Sequence, residues 1–508
     1  MTVYFINEGL GTSNSGIEHA EFDRARLFRR NQVDFKIVTS NYIPNLHSIL
    51  PLFAISDNES MNMFDYFQGA LNIPKQSVSV DMVDFGMDAE LERSGNTYLA
   101  MIHGHILGRI NVNDNNDVTS VEYFDGIGNL YKVIMFDVRG FASLVQYYSP
   151  DNKVEVETWL NTDGIPVIEK TYTLNRNGKA SETWKLGTRL FNNIQELRLY
   201  FYNQLNDSGE NMFIMDRANV SEWQLTQLDK PAYKVFMLHN HQSSDAQNPN
   251  AALLNDNYEW TLANIDEWDA IVSATPQQTH DVQNRWGRGH KCYTIPVGVI
   301  PDIEFMDEHI PMNQRKPHSM LVTARIAPEK GIDKMIEALA IARKTVPDAT
   351  LDVFGYVDHG NDNLAMRRIT DALELLDDTN AVTLHGHSKD VHSLHMQYQI
   401  YLIFSQMEGF NLALMEAQSA GMVGISNDVY YGPNELIKND INGYIVGYTD
   451  VDAFAQRIIE LCQDEDKLQN MSDNAYNLSK RYSEANVWTA WQQVFNDFDN
   501  WCKSMTPD

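Results

Sequence analysis

The sequence predicts an α/β chain of two doubly wound parallel-sheet domains, with an antiparallel β-meander inserted into the first. Three observations predict it. Apolar, β-prone runs alternate with helical periodicity at the start of the chain and again beyond residue 197. Between about 100 and 185 the helical period is lost and turn residues recur about every twelve positions. A short polar stretch, 307–317, separates one α/β run from a second. At 508 residues the chain has room for roughly two to four domains. We divide it into an N-terminal domain in two parts, 1–75 and 196–306, an insertion at 76–195, a C-terminal domain at 307–485 and a closing helix at 486–508.

The opening VYFIN (3–7) reads as a strand, Gly9, Gly11 and Gly16 punctuate a loop, and 17–30 has helical spacing with Ala20, Leu27 and Phe28 on one side. FKIVTS (35–40) is the next strand. A βαβ opening places ligands at the carboxyl ends of parallel strands. The glycine spacing is not the dinucleotide fingerprint. In the meander the turns fall at Asn116, Gly128, Gly140, Asn152, Gly164 and Gly178. Four of them carry Asp or Asn three residues ahead of Gly, at Asp125, Asp137, Asn161 and Asn175. That is the sequence of a short hairpin loop. Tyr123, Phe124, Phe136, Tyr147, Tyr148, Trp159, Leu160, Tyr172 and Leu174 fill the intervals. Five or six strands are expected, which either pack on the host domain or hold a partner or a polymeric acceptor. Strands resume at 233–241, 269–275 and 293–298. Past the polar stretch they follow at 319–324, 349–355, 381–386, 400–405 and 421–426, with helices at 331–344 and 363–376 among them. From 483 onward Trp488, Trp491, Phe495, Phe498 and Trp501 have the spacing of a helix that lays an aromatic stripe on the body.

The formal net charge of −30 and the lack of any basic run argue against nucleic acid. A phosphate ligand must then be met by local devices: one Arg, one Lys, a helix start. Cys292, Cys462 and Cys502 are odd in number and widely spaced, forming neither a disulfide framework nor a metal pattern. With no leader-like start and no run of 18 apolar residues, the expectation is a cytoplasmic protein that touches the inner face of the membrane at most.

Three features carry chemistry. Arg325 and Lys330 follow a strand and stand five apart, a spacing that suits clamping a diphosphate. Glu408 lies in a Gly-containing turn and Glu416 about a turn into the helix that begins near Leu412. That pair reads either as two acceptors for sugar hydroxyls or as a helix-start acid and a solvated one. The free amides of the helix start suit a phosphate. His239, in His239-Asn240-His241, ends a strand and reads as a substrate contact or as a structural group. Asp464-Glu465-Asp466 and Asp497-Phe498-Asp499 sit in predicted helices and read as solvated faces rather than metal ligands.

LVTARIAPEKGIDKMIEAL (321–339), LDVFGY (351–356), LHGH (384–387), MEGFNLALMEAQSAGMVGIS (407–426) and YGPNELIKNDINGYIV (431–446) together resemble the donor half of retaining family 4 glycosyltransferases of the GT-B fold. That fold has two Rossmann-like domains facing a cleft. SGIEHAEFDRARLF (15–28), the inserted meander and LHNHQS (238–243) resemble the bacterial subgroup with such an insertion. The subgroup holds the accessory-secretion glycosyltransferases of serine-rich surface proteins and the teichoic-acid α-glycosyltransferases.

The resemblance implies a UDP-sugar donor, UDP-glucose or UDP-N-acetylglucosamine, and no metal or other cofactor. Arg325 and Lys330 would neutralise the leaving diphosphate. Glu408, with the amides of Gly409, Phe410 and Asn411, would hold the sugar, and Glu416 the ribose. The amides of Asn411 and Leu412 would touch the diphosphate. Gly16 would let backbone approach donor phosphate and acceptor, His239 would contact the sugar, and Gly386 and His387 would border the base. The family usually has Gly where this chain has Asn411, so the side chain there either crowds the sugar or supplies a new hydrogen bond. The leading expectation is transfer of glucose or N-acetylglucosamine to Ser or Thr of a serine-rich protein, by front-face attack with retention. A homologous chaperone-like co-subunit or a second copy is the expected partner. The alternatives are a teichoic-acid polyol phosphate acceptor and a non-catalytic binding subunit. A sugar phosphorylase is weaker, because no cofactor-lysine module is evident.

Overall fold

The structure, a computed structural model, describes residues 1–174, 180–287, 289–306, 309–388 and 390–505. The chain divides into two compact units, 1–234 and 235–508. In the first, β1 (Val3–Asn7) pairs in parallel with β2 (Phe35–Thr39), and β2 with β3 (Ser60–Asn62). β1 is buried at every position, which is why it reads as a continuous apolar run. The helix Gly16–Arg30 between β1 and β2 begins with a capping box, in which Glu18 accepts from the Ser15 amide at 2.8 Å.

An antiparallel sheet of ten strands follows, each paired with the next in sequence: β4 (Glu90–Ser94), β5 (Thr97–Ile102), β6 (His105–Val112), β7 (Val118–Phe124), β8 (Leu130–Phe136), β9 (Ala142–Tyr148), β10 (Val154–Leu160), β11 (Pro166–Leu174), β12 (Ala180–Leu186) and β13 (Arg189–Phe191). The five loops between β6 and β11 share one construction. Asp125 Oδ1 accepts from the amides of Ile127 at 3.0 Å and Asn129 at 2.8 Å, and Asn161 Oδ1 from those of Asp163 at 3.0 Å and Ile165 at 2.8 Å. The fourth position is left-handed at Asn116, Gly128, Gly140, Asn152 and Gly164, with φ of 65, 87, 88, 60 and 79°. Seven-residue strands and five-residue loops produce the twelve-residue period. The turn expected at Asn175 and Gly178 lies outside the described residues. The expected five or six strands are in fact ten. β4 is exposed throughout and carries Glu90, Glu92 and Arg93, and β13 has only three residues, so neither displays an alternating pattern.

This sheet is fastened to the helix Met63–Gln68. The buried Arg139 bonds Asp137 and Asp65, each at 2.7 Å, and Gln68 donates to the Ser143 carbonyl at 2.9 Å. Phe64 packs on Trp159, ring centroids 4.9 Å apart, and Trp159 stacks on Trp184 at 5.3 Å. β14 (Met212–Met215) then pairs in parallel with β1.

β15 (Tyr233–Leu238), whose last four residues open the second unit, β16 (Ala270–Ser273) and β17 (Cys292–Thr294) are parallel neighbours. A six-stranded parallel sheet follows, built from β18 (Ser319–Thr323), β19 (Thr350–Phe354), β20 (Val382–Leu384), β21 (Ile400–Ile403), β22 (Val423–Asn427) and β23 (Gly443–Val446). Its spatial order is β20-β19-β18-β21-β22-β23. The order reverses between β18 and β21, so a crevice opens beyond their carboxyl ends. The closing helix Glu484–Met505 buries Trp491 and Phe498. Asp464, Glu465, Asp466 and Asp499 are exposed, as expected of solvated faces, while Asp497 is half-buried, and two of these acids also make contacts. Asp464 caps the helix Glu465–Ser479 through the Lys467 amide at 2.9 Å. Asp497 accepts from Tyr293 Oη and pairs with Lys291, both at 2.7 Å.

His395 is fully buried, its ring nitrogens have no hydrogen-bond partner among the described residues, and burial holds it down to about 3. Its folded value lies below the unfolded one near 6.5, so its contribution to stability is complete above that value and is lost as pH falls towards 3. Replacing His395 with Leu is expected to flatten the acid limb of the stability profile between those limits. Urea midpoints of both proteins at a series of pH values check this.

Candidate functional site

The reversal between β18 and β21 brings two loops together. The loop after β18 carries Arg325 and, in the single 3-10 turn Pro328–Lys330, Lys330. Gly331 closes it at φ 61°, and a Cβ there would stand 2.2 Å from the Phe404 carbonyl, so the first loop is seated on the end of the second by a residue that must be glycine. The Gln406 amide donates to the Glu329 carbonyl at 2.8 Å and completes the seam.

Across that seam Lys330 Nζ meets Glu408 Oε1 at 2.7 Å. The same oxygen accepts from Ser405 Oγ at 2.6 Å. The Glu408 side chain is 9 % exposed and that of Lys330 24 %. An ammonium has three protons and Glu408 takes one, which leaves donors for an anionic ligand. Arg325 is placed differently: its guanidinium is held between Asp358 and Glu329, with 39 % of the side chain exposed. The structure thus unites Lys330 with Glu408 and gives Arg325 two acids of its own.

The helix Leu412–Ser419 begins where it was expected. Asn411 sits at φ 74°, a conformation that Asn tolerates, and its side chain accepts from the Leu414 amide at 2.9 Å. The oxygen of that side chain therefore faces the helix. The first-turn amides of Leu412 and Ala413 have no intrahelical acceptor and start the helix beside Glu408. Glu416 is half-buried in the second turn. Phe410 is buried in an apolar cluster with Leu414 and Met415. Gly409 lies against the loop after β15: a Cβ on it would stand 1.9 Å from the His239 carbonyl. The His239 amide in turn donates to Tyr258 Oη at 3.2 Å. Gly386, at φ 74°, follows β20 with nothing within 4 Å of a Cβ built on it, and His387 beside it is exposed. Gly16 is the first residue of the helix Gly16–Arg30, in the first unit.

Four groups at this site escaped the sequence reading. Glu329 and Asp358 bracket Arg325, Ser405 shares Glu408, and Tyr431 forms a β-bridge with Glu408. Only Ser405 had a local signal, three residues ahead of Glu408 at the end of a strand.

Residues 307–478 match the glycosyl transferases group 1 family, and residues 15–253 match an accessory Sec system protein family. The UDP-N-acetylglucosamine–peptide N-acetylglucosaminyltransferase GtfA subunit of Streptococcus pneumoniae is 27 % identical over 98 % of this chain and 99 % of its own. The poly(glycerol-phosphate) alpha-glucosyltransferase of Bacillus subtilis is 23 % identical over 98 % of this chain and 75 % of its own. The crystal structure of the pneumococcal O-GlcNAc transferase GtfA with UDP and GlcNAc superposes with a TM-score of 0.82, at 25 % identity, covering 98 % of this chain and 99 % of that one. The crystal structure of a GtfA/B complex gives 0.82 at 26 % identity, covering 98 % and 100 %. Among the described residues no helix is long and apolar enough to cross a membrane.

Proposed function

We propose, from a chain with the GT-B fold and a group 1 glycosyl transferase region at 307–478, that it transfers N-acetylglucosamine from UDP-N-acetylglucosamine to Ser or Thr hydroxyls of a serine-rich protein. The observation that carries the reading is the Lys330–Glu408 pair at the switch point of the six-stranded sheet, beside a helix start. The peptide N-acetylglucosaminyltransferase named for the pneumococcal relative supports the donor and the protein acceptor. Glucose as the alternative donor has no support from that relative.

Breaking a glycosyl–phosphate bond leaves positive charge at the anomeric carbon and negative charge on the diphosphate. Lys330 and the amides of Leu412 and Ala413 meet the negative charge without reorganising, so the chemistry needs no metal. Arg325 adds charge once the ligand draws it from Asp358 and Glu329. Glu408 fixes Lys330 and offers its second oxygen to sugar hydroxyls, and Glu416 takes the ribose. Asn411, Gly409 and Phe410 shape the sugar pocket; Gly386 and His387 border the base. His239 contacts the sugar at its reacting face, and Gly16 lets backbone approach a phosphate. Attack comes from the face of the leaving group, with retention, and a leaving-group oxygen helps deprotonate the acceptor. A homologous co-subunit, like the B component of the GtfA/B complex, completes the acceptor site, and the enzyme works in the cytoplasm.

The experiment is UDP release from UDP-N-acetylglucosamine and from UDP-glucose, each with a serine-rich peptide and with teichoic acid, with and without a GtfB-type subunit. Peptide-dependent release from UDP-N-acetylglucosamine is expected. Release only with teichoic acid would favour the second reading, for which the Bacillus subtilis relative speaks.

A further inference from the structure

Two segments flank Glu408 and His239 without any part in the chemistry above: 240–243 after β15 and 428–432 after β22. Tyr431 joins them. It is 1 % exposed, and a phenol so buried needs partners for its hydroxyl. It has two. Gln242 Nε2 donates to Tyr431 Oη at 2.7 Å, and Tyr431 Oη donates to Asp281 Oδ2 at 3.0 Å. Gln242 is itself fully buried, and Gln277 donates to the other Asp281 oxygen at 2.9 Å. The His241 ring lies on the Tyr431 ring, centroids 4.9 Å apart and planes 16° from parallel. On the backbone side, the Tyr431 amide donates to the Glu408 carbonyl at 2.7 Å. One residue therefore grips the backbone of Glu408 through its amide and the segment next to His239 through its side chain.

We propose that Tyr431 is a positioning residue of the transferase site, whose hydroxyl holds the His239 loop in register with Glu408. The inference rests on the reading of Lys330 and Glu408 as the donor site. Gly409 shows why register matters there: it passes the His239 carbonyl with no room for a methyl group. Loss of the hydroxyl removes the Gln242 bond and the Asp281 bond together, while the Tyr431 amide stays on Glu408. A slip on the order of an ångström at reacting groups costs up to about 100-fold in rate.

The test compares the full chain with Tyr431→Phe, with Gln242→Met and with both. Tyr431→Phe is expected to lower kcat for transfer about tenfold, with UDP affinity by calorimetry nearly unchanged and the melting temperature lowered only slightly, because the buried Gln242 amide loses its partner. Gln242→Met should do the same, and the double variant should be no slower than the slower single one, since both break one chain. Amide exchange in the ligand-free proteins should rise at 238–243 and stay low elsewhere in the second unit. An unchanged kcat overturns the proposal. So does a parallel fall in kcat, UDP affinity and melting temperature, which marks a merely structural role. If the unaltered chain, supplied with a GtfB-type subunit, transfers no sugar, the functional reading fails by itself. Exchange at 238–243 then still decides the tie: a rise supports it and no change overturns it.

Discussion

Replacing Glu408 with Gln is expected to lower the rate of sugar transfer by about 10²–10³ while leaving the fold intact. The substitution keeps the shape and an oxygen for the Ser405 hydroxyl, which stands 2.6 Å away. It removes the charge that holds Lys330 Nζ at 2.7 Å. Lys330 then swings on a flexible stem, and the ammonium is no longer preset where the diphosphate leaves. The amide also offers hydroxyls of the donor a weaker acceptor than a carboxylate does. Stability should change little, because Lys330 keeps 24 % of its side chain in water and no charge is stranded in the interior. Initial rates at saturating UDP-N-acetylglucosamine, read beside a melting curve, separate the two effects. A variant with a normal rate would remove Glu408 from the donor site.

The sequence displayed the parts of this site but not their assembly. Arg325 and Lys330 were visible as cations after a strand, and Glu408 and Glu416 as acids around a helix start. That Lys330 pairs with Glu408, 78 residues on, follows from the strand order, which sets β18 beside β21 and which no local period encodes. For the same reason the contact of Arg325 with Asp358, which comes to it from the loop after β19, had no local signal. Asn411 was legible as a departure from glycine. Its two local virtues, tolerance of a left-handed backbone and capping of the Leu414 amide, explain how the chain accommodates it. The twelve-residue period of the inserted sheet was legible because its five-residue loops repeat one side-chain cap, whereas β4 lacks a buried face and β13 and β23 are too short to show a period. The chain of Gln242, Tyr431 and Asp281 joins three distant segments, so nothing in any one of them announces it.

Gly409→Ala is the second substitution with a large expected effect, and its cause is space rather than charge. Gly409 has no positive φ, so the backbone itself accepts alanine. The added Cβ would stand 1.9 Å from the His239 carbonyl oxygen, 2.7 Å from its carbon and 3.0 Å from the Asn240 Cα. All three are backbone atoms, which cannot turn aside as the end of a side chain does. The loop of 405–411 and the loop of 238–243 must therefore part. Overpacking of this kind costs about 1–3 kcal/mol of stability, and parting the two loops moves Glu408 relative to His239, for which a loss of about 100-fold in transfer rate is expected. The neighbouring Gly331→Ala differs in kind, since there a left-handed φ of 61° adds backbone strain to the clash with Phe404. Measured side by side, Gly409→Ala should lose more activity than stability, and Gly331→Ala should lose both. Full activity in Gly409→Ala would mean that the two loops part without harm, and that the closeness of His239 to Glu408 has no part in the reaction.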